Sequence, residues 1–278
     1  MTDKPSTDDR DKPSIPAATV LLLRDGDDGM EVFMVVRHHE IDSFSGALVF
    51  PGGKVDPGDF DVRRYCRGGS DLDDNMLAFH VAAVREAFEE CGVLLAYAGE
   101  DDSLIGADRM AGIEKAWRDK LVKDEVAIGA VCEAEGLSLA IDHMVHFAHW
   151  ITPPVVPKVF DTHFFVARAP ADQLALHDGE ESTDSTWIRP VDAIAAAEEG
   201  ARTVVFPTRM NLGKLGRWND VDTALAAIAD LNIVTVQPVV TPREGGRTLR
   251  IPAEADYGGT LFLARQDGDR LIDIEKLE

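Results

Sequence analysis

The stretch Phe79–Leu95, FHVAAVREAFEECGVLL, holds the residues best suited to chemistry. Wound at about 100° per residue, it predicts a helix with two unlike faces. Val81, Val84, Phe88, Cys91 and Leu95 recur in steps of three and four and form an apolar stripe for a core. Glu86, Glu89 and Glu90, at i, i+3 and i+4, gather on the opposite side. Like charges at this spacing weaken an isolated helix by about 0.2–0.5 kcal/mol per pair. A solvated acidic face is the plain reading of such a string. Against it, three convergent carboxylates supply the hard oxygen donors that Mg2+ or Mn2+ prefers. The adjacent Arg85 can hold a carboxylate in one rotamer, as outer groups do for metal ligands. Gly92 follows directly, and Gly52 and Gly53 form a glycine turn upstream, which suits a helix-borne site built against a tight loop.

Composition narrows what such a site would handle. The 278 residues include 28 Lys plus Arg against 50 Asp plus Glu, a formal charge of −22. That field repels phosphate backbones and excludes a general nucleic-acid binder. A small polyanion binds only where local cations or metal ions reverse the sign. Three cysteines, Cys66, Cys91 and Cys132, at wide spacing exclude a disulfide framework and a four-cysteine zinc site. The first nineteen residues are polar and proline-bearing, and no apolar run reaches the roughly 18 residues that cross a bilayer. A cytoplasmic protein with no membrane partner is expected.

GGKVDPGD, followed after an insertion by REAFEECGV, resembles the Nudix box, G-x5-E-x7-R-E-U-x-E-E-x-G-U, where U is a bulky aliphatic residue. Gly53 stands at the first glycine. Arg85, Glu86, Glu89, Glu90, Gly92 and Val93 match the helical half residue by residue, with Ala87 at its first aliphatic position. Two features depart from the pattern. Asp59 replaces the first glutamate, and 25 residues instead of seven separate it from Arg85. The shorter Asp59 side chain reaches less far, so it carries over less strongly than the helical half. The coenzyme A diphosphatase branch of the family is similar in having a long insertion here. GALVFPGGKVD, VREAFEECGVLL, HWITPPVVPKVFDTHFFVA, ESTDSTWIRPVDAI and a terminal hairpin follow in that branch's order over most of residues 17–260.

The resemblance implies a metal-dependent hydrolase that cleaves a diphosphate linkage in a nucleoside-diphosphate derivative. Its substrate would be coenzyme A or acyl-CoA, giving 3′,5′-ADP and 4′-phosphopantetheine. Mg2+ or Mn2+ would sit on Glu86, Glu89 and Glu90. Glu181, six residues before Trp187, would be a further ligand or the general base, a role Glu90 could also fill. Arg85 would complete the catalytic set, and Arg37, Gly52, Gly53 and Lys54 would meet the substrate. Asp42 stands where the coenzyme A motif often has arginine, which keeps NADH or ADP-ribose open as substrates. A Nudix-like module that binds a nucleotide without cleaving it is the alternative of another class. A homodimer is a permitted assembly.

These residues need elements to position them. A hairpin is expected from Ala17–Leu23 and Glu31–Arg37, then a short strand running through Gly46–Gly53, then a loop over Lys54–Asp74. Helical pattern covers Asn75–Ala98, Ala107–Val122, Ala127–Ala140, Pro190–Gly200 and Pro207–Asp230. Strands are expected at His149–Thr152, Thr162–Ala167 and Thr186–Arg189, with a closing hairpin from Val234–Val240 and Thr248–Pro252. Strands and helices mix without strict alternation, which indicates an α+β fold. With the resemblance, this becomes a Nudix-type α/β/α sandwich around a mixed sheet. The expected organisation is a disordered tail over 1–15 and one domain over 16–278. Within it fall a box at 53–93 interrupted at about 60–77, a helical insertion at about 101–145 and a C-terminal hairpin at about 232–255. His143, His146 and His149 invite a zinc site, but on a helix they do not converge, and core or surface histidines are preferred. Cys91 is read as packing.

Overall fold

The computed structural model describes residues 13–37, 47–99, 102–173, 182–267 and 270–278. Its centre is β1 (Ile15–Gly26), which turns through two residues into the antiparallel β2 (Gly29–Arg37). β3 (Leu48–Val49) pairs with β2, and β4 (Gly52–Lys54) pairs antiparallel with Ala17–Thr19 of β1. On the other side of β1 lies the parallel β9 (Phe160–Arg168), then the antiparallel β8 (Val145–Ile151). β10 (Ser182–Ile188) borders β2, and β11 (Thr235–Val236) runs parallel to β8 at the far edge. Ile15, placed in the expected tail, already pairs with Phe160; residues 1–12 lie outside the described residues.

Both faces of this mixed sheet are covered, and strand alternation decides which side chain enters which core. Ala18, Val20, Leu22, Phe33, Val35 and Phe165 face one cluster, with α1 (Asp74–Cys91). Leu21, Leu23, Val32, Met34, Phe164 and Val166 face the other, with α5 (Pro190–Glu198), α6 (Phe206–Leu215) and α7 (Val221–Ala229). The α/β/α layering expected from the sequence is present.

The first cluster takes in more than the sequence indicates. α1 stops at Cys91 rather than Ala98, because Gly92 takes a left-handed φ of 65° and the chain leaves as a strand, β6 (Ala96–Ala98). After α2 (Ala107–Ile113), a π turn over Glu114–Arg118, α3 (Asp119–Val122) and α4 (Ile128–Glu135), Gly136 repeats the device. β7 (Leu137–Ala140) follows where a helix was expected; four residues, LSLA, are too few to separate the two periods. β7 lies between β6 and β5 (Cys66–Arg67), and β5 comes from the stretch read as loop. The strands β5, β6 and β7 and the helices between β6 and β7 therefore form one layer over α1. That is why α1 is buried nearly all round, with His80, Arg85 and Glu86 covered, instead of showing an acidic face to water.

The C-terminal region also differs. Val234–Val240 splits between β11 and β12 (Val239–Arg243), and β12 pairs with β13 (Gly246–Arg250). β14 (Leu261–Asp267) and β15 (Arg270–Lys276) extend that hairpin to a four-stranded sheet. Lys214 Nζ donates to the Ala255 carbonyl at 3.2 Å, and Trp150 Nε1 donates to Tyr257 Oη at 2.9 Å, tying this sheet to the second core.

On the α1 side of β8 and β9, burial pushes His163 down to about 3 and His146 down to about 4. An unfolded imidazole titrates near 6.5. Below that pH the unfolded chain takes up protons that the folded chain refuses. The contribution is therefore fully present above about pH 6.5 and falls by up to about 1.4 kcal/mol per unit per histidine as pH drops toward those values. Urea unfolding in EDTA at pH 7 and pH 5 should show this loss, and His146→Gln should reduce it. Equal pH dependence in the two proteins would contradict the assignment.

Candidate active site

The last turns of α1 end against the β4 turn. Asp73 caps the helix start by accepting from Met76 N–H at 2.8 Å, and Gly92 closes its end, so the phase of Glu86, Glu89 and Glu90 is fixed. Gly52 N–H donates to Glu90 Oε2 at 3.0 Å. A Cβ on Gly53 would lie 2.4 Å from Glu86 Oε1, whereas one on Gly52 would lie 2.4 Å from the Ala18 carbonyl oxygen. The two glycines thus serve different ends. Gly53→Ala meets a side-chain end and no backbone, so it is expected to displace the Glu86 carboxylate from the Arg85 clasp, lowering kcat roughly a hundredfold at a smaller cost in melting temperature than Gly52→Ala. Gly52→Ala drives into backbone and is expected to cost about 1–3 kcal/mol of stability. Melting curves and initial rates of both variants check this; equal loss of stability would refute the distinction.

Arg85 organises the carboxylates. Nε and Nη2 donate to the two oxygens of Asp59, each at 3.1 Å, and Nη2 also donates to the Lys54 carbonyl at 2.7 Å. Nη1 donates to Glu86 Oε1 at 2.9 Å and Glu89 Oε2 at 3.0 Å. All five guanidinium N–H groups are thereby engaged, so Arg85 holds neighbours in place and has no donor to spare for a substrate. Asp59, 1% exposed, does reach the helix despite its shorter side chain. A 3-10 turn over Pro57–Asp59 carries it there, and Asp56 N–H donates to Asp59 Oδ2 at 2.8 Å. The sequence DPGD held this signal, with Pro at the first turn position and an acid two residues on.

Burial works against the charge on Arg85, but Glu86, Asp59 and Glu89 outweigh it and hold the guanidinium protonated. Burial pushes the Asp59 carboxyl above the ordinary range, with Arg85 pulling the other way, and does the same to Glu89. The inserted layer reaches the site too. Arg118 Nε donates to the Glu89 carbonyl at 2.9 Å, and a cavity of about 310 Å3 opens between Pro57–Asp59 and the 121–128 segment, beside Arg85 and Glu89. A larger, shallower hollow at Tyr65, Cys132 and Leu137 borders none of Glu86, Glu89 and Glu90.

The structure brings Glu86, Glu89, Glu90, Arg85, Gly52 and Gly53 together. Lys54 contributes its carbonyl, and its side chain is exposed. Arg37 ends β2, but its side chain, like Asp42 and Glu181, lies outside the described residues. Glu86 and Glu89 meet at Arg85 Nη1, and Glu90 meets the Gly52 amide. Among the described residues, a single group brings three ligand atoms within 4.8 Å of one another: His149, Asp161 and His163, which the sequence reading did not assemble. The glutamate set still fits a hard divalent cation, with oxygen donors on adjacent helical positions, beside a glycine that leaves no room for a Cβ.

Comparison with known proteins gives the family. The family model described as the NUDT19 Nudix domain matches residues 63–215, just over half of the chain. Nudix hydrolase 7 of Caenorhabditis elegans is 29% identical over 229 residues, covering 81% of this chain and 69% of that protein. The acyl-coenzyme A diphosphatase NUDT19 of Xenopus laevis is 22% identical over 271 residues, covering 82% and 71%. A crystal structure of a Nudix hydrolase from Alicyclobacillus acidocaldarius superposes with a TM-score of 0.66 at 28% identity, covering 78% of this chain and 97% of that one. With the family model matching more than half of the chain and the layered fold superposing on that hydrolase, the chain belongs to the Nudix hydrolase family of diphosphate hydrolases, in the branch defined by the NUDT19 Nudix domain.

Proposed function

We propose that this site hydrolyses the diphosphate linkage of coenzyme A or acyl-CoA to 3′,5′-ADP and 4′-phosphopantetheine, with Mg2+ or Mn2+ held by Glu86, Glu89 and Glu90. The observation that carries the reading is the saturated Arg85 clasp, which fixes two of those carboxylates in one place while Gly52 anchors the third. The similarity to an acyl-coenzyme A diphosphatase supports the substrate class. When bound, the divalent cation neutralises phosphate charge and makes a water molecule more acidic.

The chain's own residues then divide the work. Arg85 and Asp59 position the glutamates and do not touch substrate. Glu90, or Glu181 from the segment before β10, takes the proton of the attacking water. Gly52 and Gly53 keep side chains out of the space beside the glutamates. Lys54 and Arg37 set local positive charge against a chain of net charge −22. The 57–59 turn and the 121–128 segment wall the cleft, within one catalytic domain that begins at β1 and runs to 278.

The deciding experiment is a substrate panel of coenzyme A, acyl-CoA, NADH and ADP-ribose with Mg2+ or Mn2+, reading product release. Release of 3′,5′-ADP from coenzyme A or acyl-CoA at the highest kcat/KM is the expected result. Faster cleavage of NADH or ADP-ribose would reassign the substrate, and tight binding without turnover would make the chain a binding module. Opposite pH–rate changes in Glu90→Gln and Glu181→Gln would identify the base.

A further inference from the structure

The histidine-rich stretch His143–His149 enters β8 as a strand, and strict alternation would send His146 and His149, three apart, to opposite faces. A bulge prevents this. His146 pairs with Phe165 and Ala148 with Phe164, so Phe147 is the extra residue and drops into the second core. His146 and His149 therefore share the α1 side of the sheet with His163, the cross-strand partner of His149. Asp161, two residues before His163 on β9, lies on that side as well. His149 Nε2 is 2.5 Å from Asp161 Oδ1, the His149 and His163 rings stack at 4.0 Å, and ligand atoms of all three residues lie within 4.8 Å of one another.

We propose that His149, Asp161 and His163 bind one divalent transition-metal ion of borderline softness, Zn2+ foremost, at a site separate from the glutamates of α1. The donor set of two imidazoles and a carboxylate is the kind that Zn2+ takes in four-coordinate sites, with a fourth position for water. Zn–N and Zn–O bonds of about 2.0–2.1 Å put tetrahedral ligand atoms about 3.3 Å apart. The 2.5 Å pair opens slightly, and the widest separation closes by at most about 1.5 Å, a change within reach of side-chain rotation.

The surrounding bonds are those that orient metal-binding imidazoles. Thr235 Oγ1 on β11 lies 2.8 Å from His149 Nδ1, leaving Nε2 turned to Asp161. His146 Nε2 lies 2.9 Å from His163 Nδ1, which leaves Nε2 of His163 as its ligand atom. The side chains of His149 and Asp161 remain 15% and 28% exposed, so an ion has a route in. Ala18 pairs with Gly53 on one side and His163 on the other, so this site lies about two strand spacings, about 10 Å, from the box glycine. A purely hydrogen-bonded histidine network is the competing account.

The test uses the full chain, stripped by chelator and dialysed against Zn2+ in excess Mg2+, with zinc per chain measured by elemental mass spectrometry. Co2+ in place of Zn2+ gives a visible-absorption readout. One Zn2+ per chain is expected in the wild type and in Glu89→Gln, and less than about one-tenth of that in His149→Gln and Asp161→Asn. Thr235→Val, a change at an exposed position, should melt like the wild type in chelator yet bind Zn2+ about 10–100-fold more weakly. A wild type that retains no zinc, variants that retain as much as the wild type, or loss of zinc in Glu89→Gln would overturn the site.

Discussion

Glu89→Gln is expected to reduce kcat/KM for a diphosphate substrate by roughly 10^2- to 10^3-fold while the protein melts close to the wild-type temperature. The two parts have separate causes. Glutamine keeps an oxygen that can accept from Arg85 Nη1, so the bond at 3.0 Å survives in a neutral form and the helix end stays packed. What is lost is a negative charge at the place where cation binding is proposed. Stabilising transition-state charge in this way is worth several kcal/mol, and each 1.36 kcal/mol is about tenfold in rate. Raising Mg2+ or Mn2+ should recover part of the loss in Glu89→Gln, because weakened affinity can be offset by concentration. EDTA should abolish wild-type activity. Full turnover by the metal-free enzyme, or a Glu89→Gln variant as active as the wild type, would remove the glutamates from the chemistry and leave them as a structural anchor for Arg85.

The residues of this site were legible because a helix repeats. The stripe from Val81 to Cys91 and the acids at Glu86, Glu89 and Glu90 are consequences of one 3.6-residue period, whereas Leu95 lies beyond the Gly92 cap that the helical pattern runs through. The cross-strand relations were less accessible. That β5, β6 and β7 would meet over α1 depends on pairing between Cys66–Arg67, Ala96–Ala98 and Leu137–Ala140, short runs with no period of their own. Without that layer in view, the acidic face of α1 reads as solvent-facing, and Arg85 reads as the holder of one carboxylate and not of three. The layer also explains why Asp59 serves despite its length, since the 57–59 turn is pressed toward the helix by the 121–128 segment. Gly58 marks this approach, where an added Cβ would lie 2.9 Å from Ala127 Cβ. The histidine group was hidden for a different reason, because one bulged residue reverses the facing of everything beyond it.

Arg85→Met should be among the most destabilising single substitutions in this chain, by about 3–5 kcal/mol, since it strands buried carboxylates without their partner. Asp59 suffers most, at 1% exposure and with both oxygens on the guanidinium. Burial already pushes its carboxyl upward in the intact protein, so removal of Arg85 should leave it protonated at neutral pH or force the turn open. The same logic predicts a strong coupling. Asp59→Asn alone keeps one oxygen to accept from Arg85, frees one donor, and leaves Glu86 and Glu89 to balance the charge, so it should cost less than Arg85→Met. In the double variant the stranded charge at Asp59 is gone, and the total loss should fall short of the sum by about 1–3 kcal/mol. Urea unfolding of the four proteins measures this directly, and activity gives an independent reading. Each single variant should lower kcat more than it raises KM, because the clasp sets the placement of Glu86 and Glu89 and leaves substrate contacts intact. Additive stabilities would show that Asp59 and Arg85 act separately, and an Asp59→Asn enzyme with unchanged kcat would show that the glutamates hold their places without the clasp.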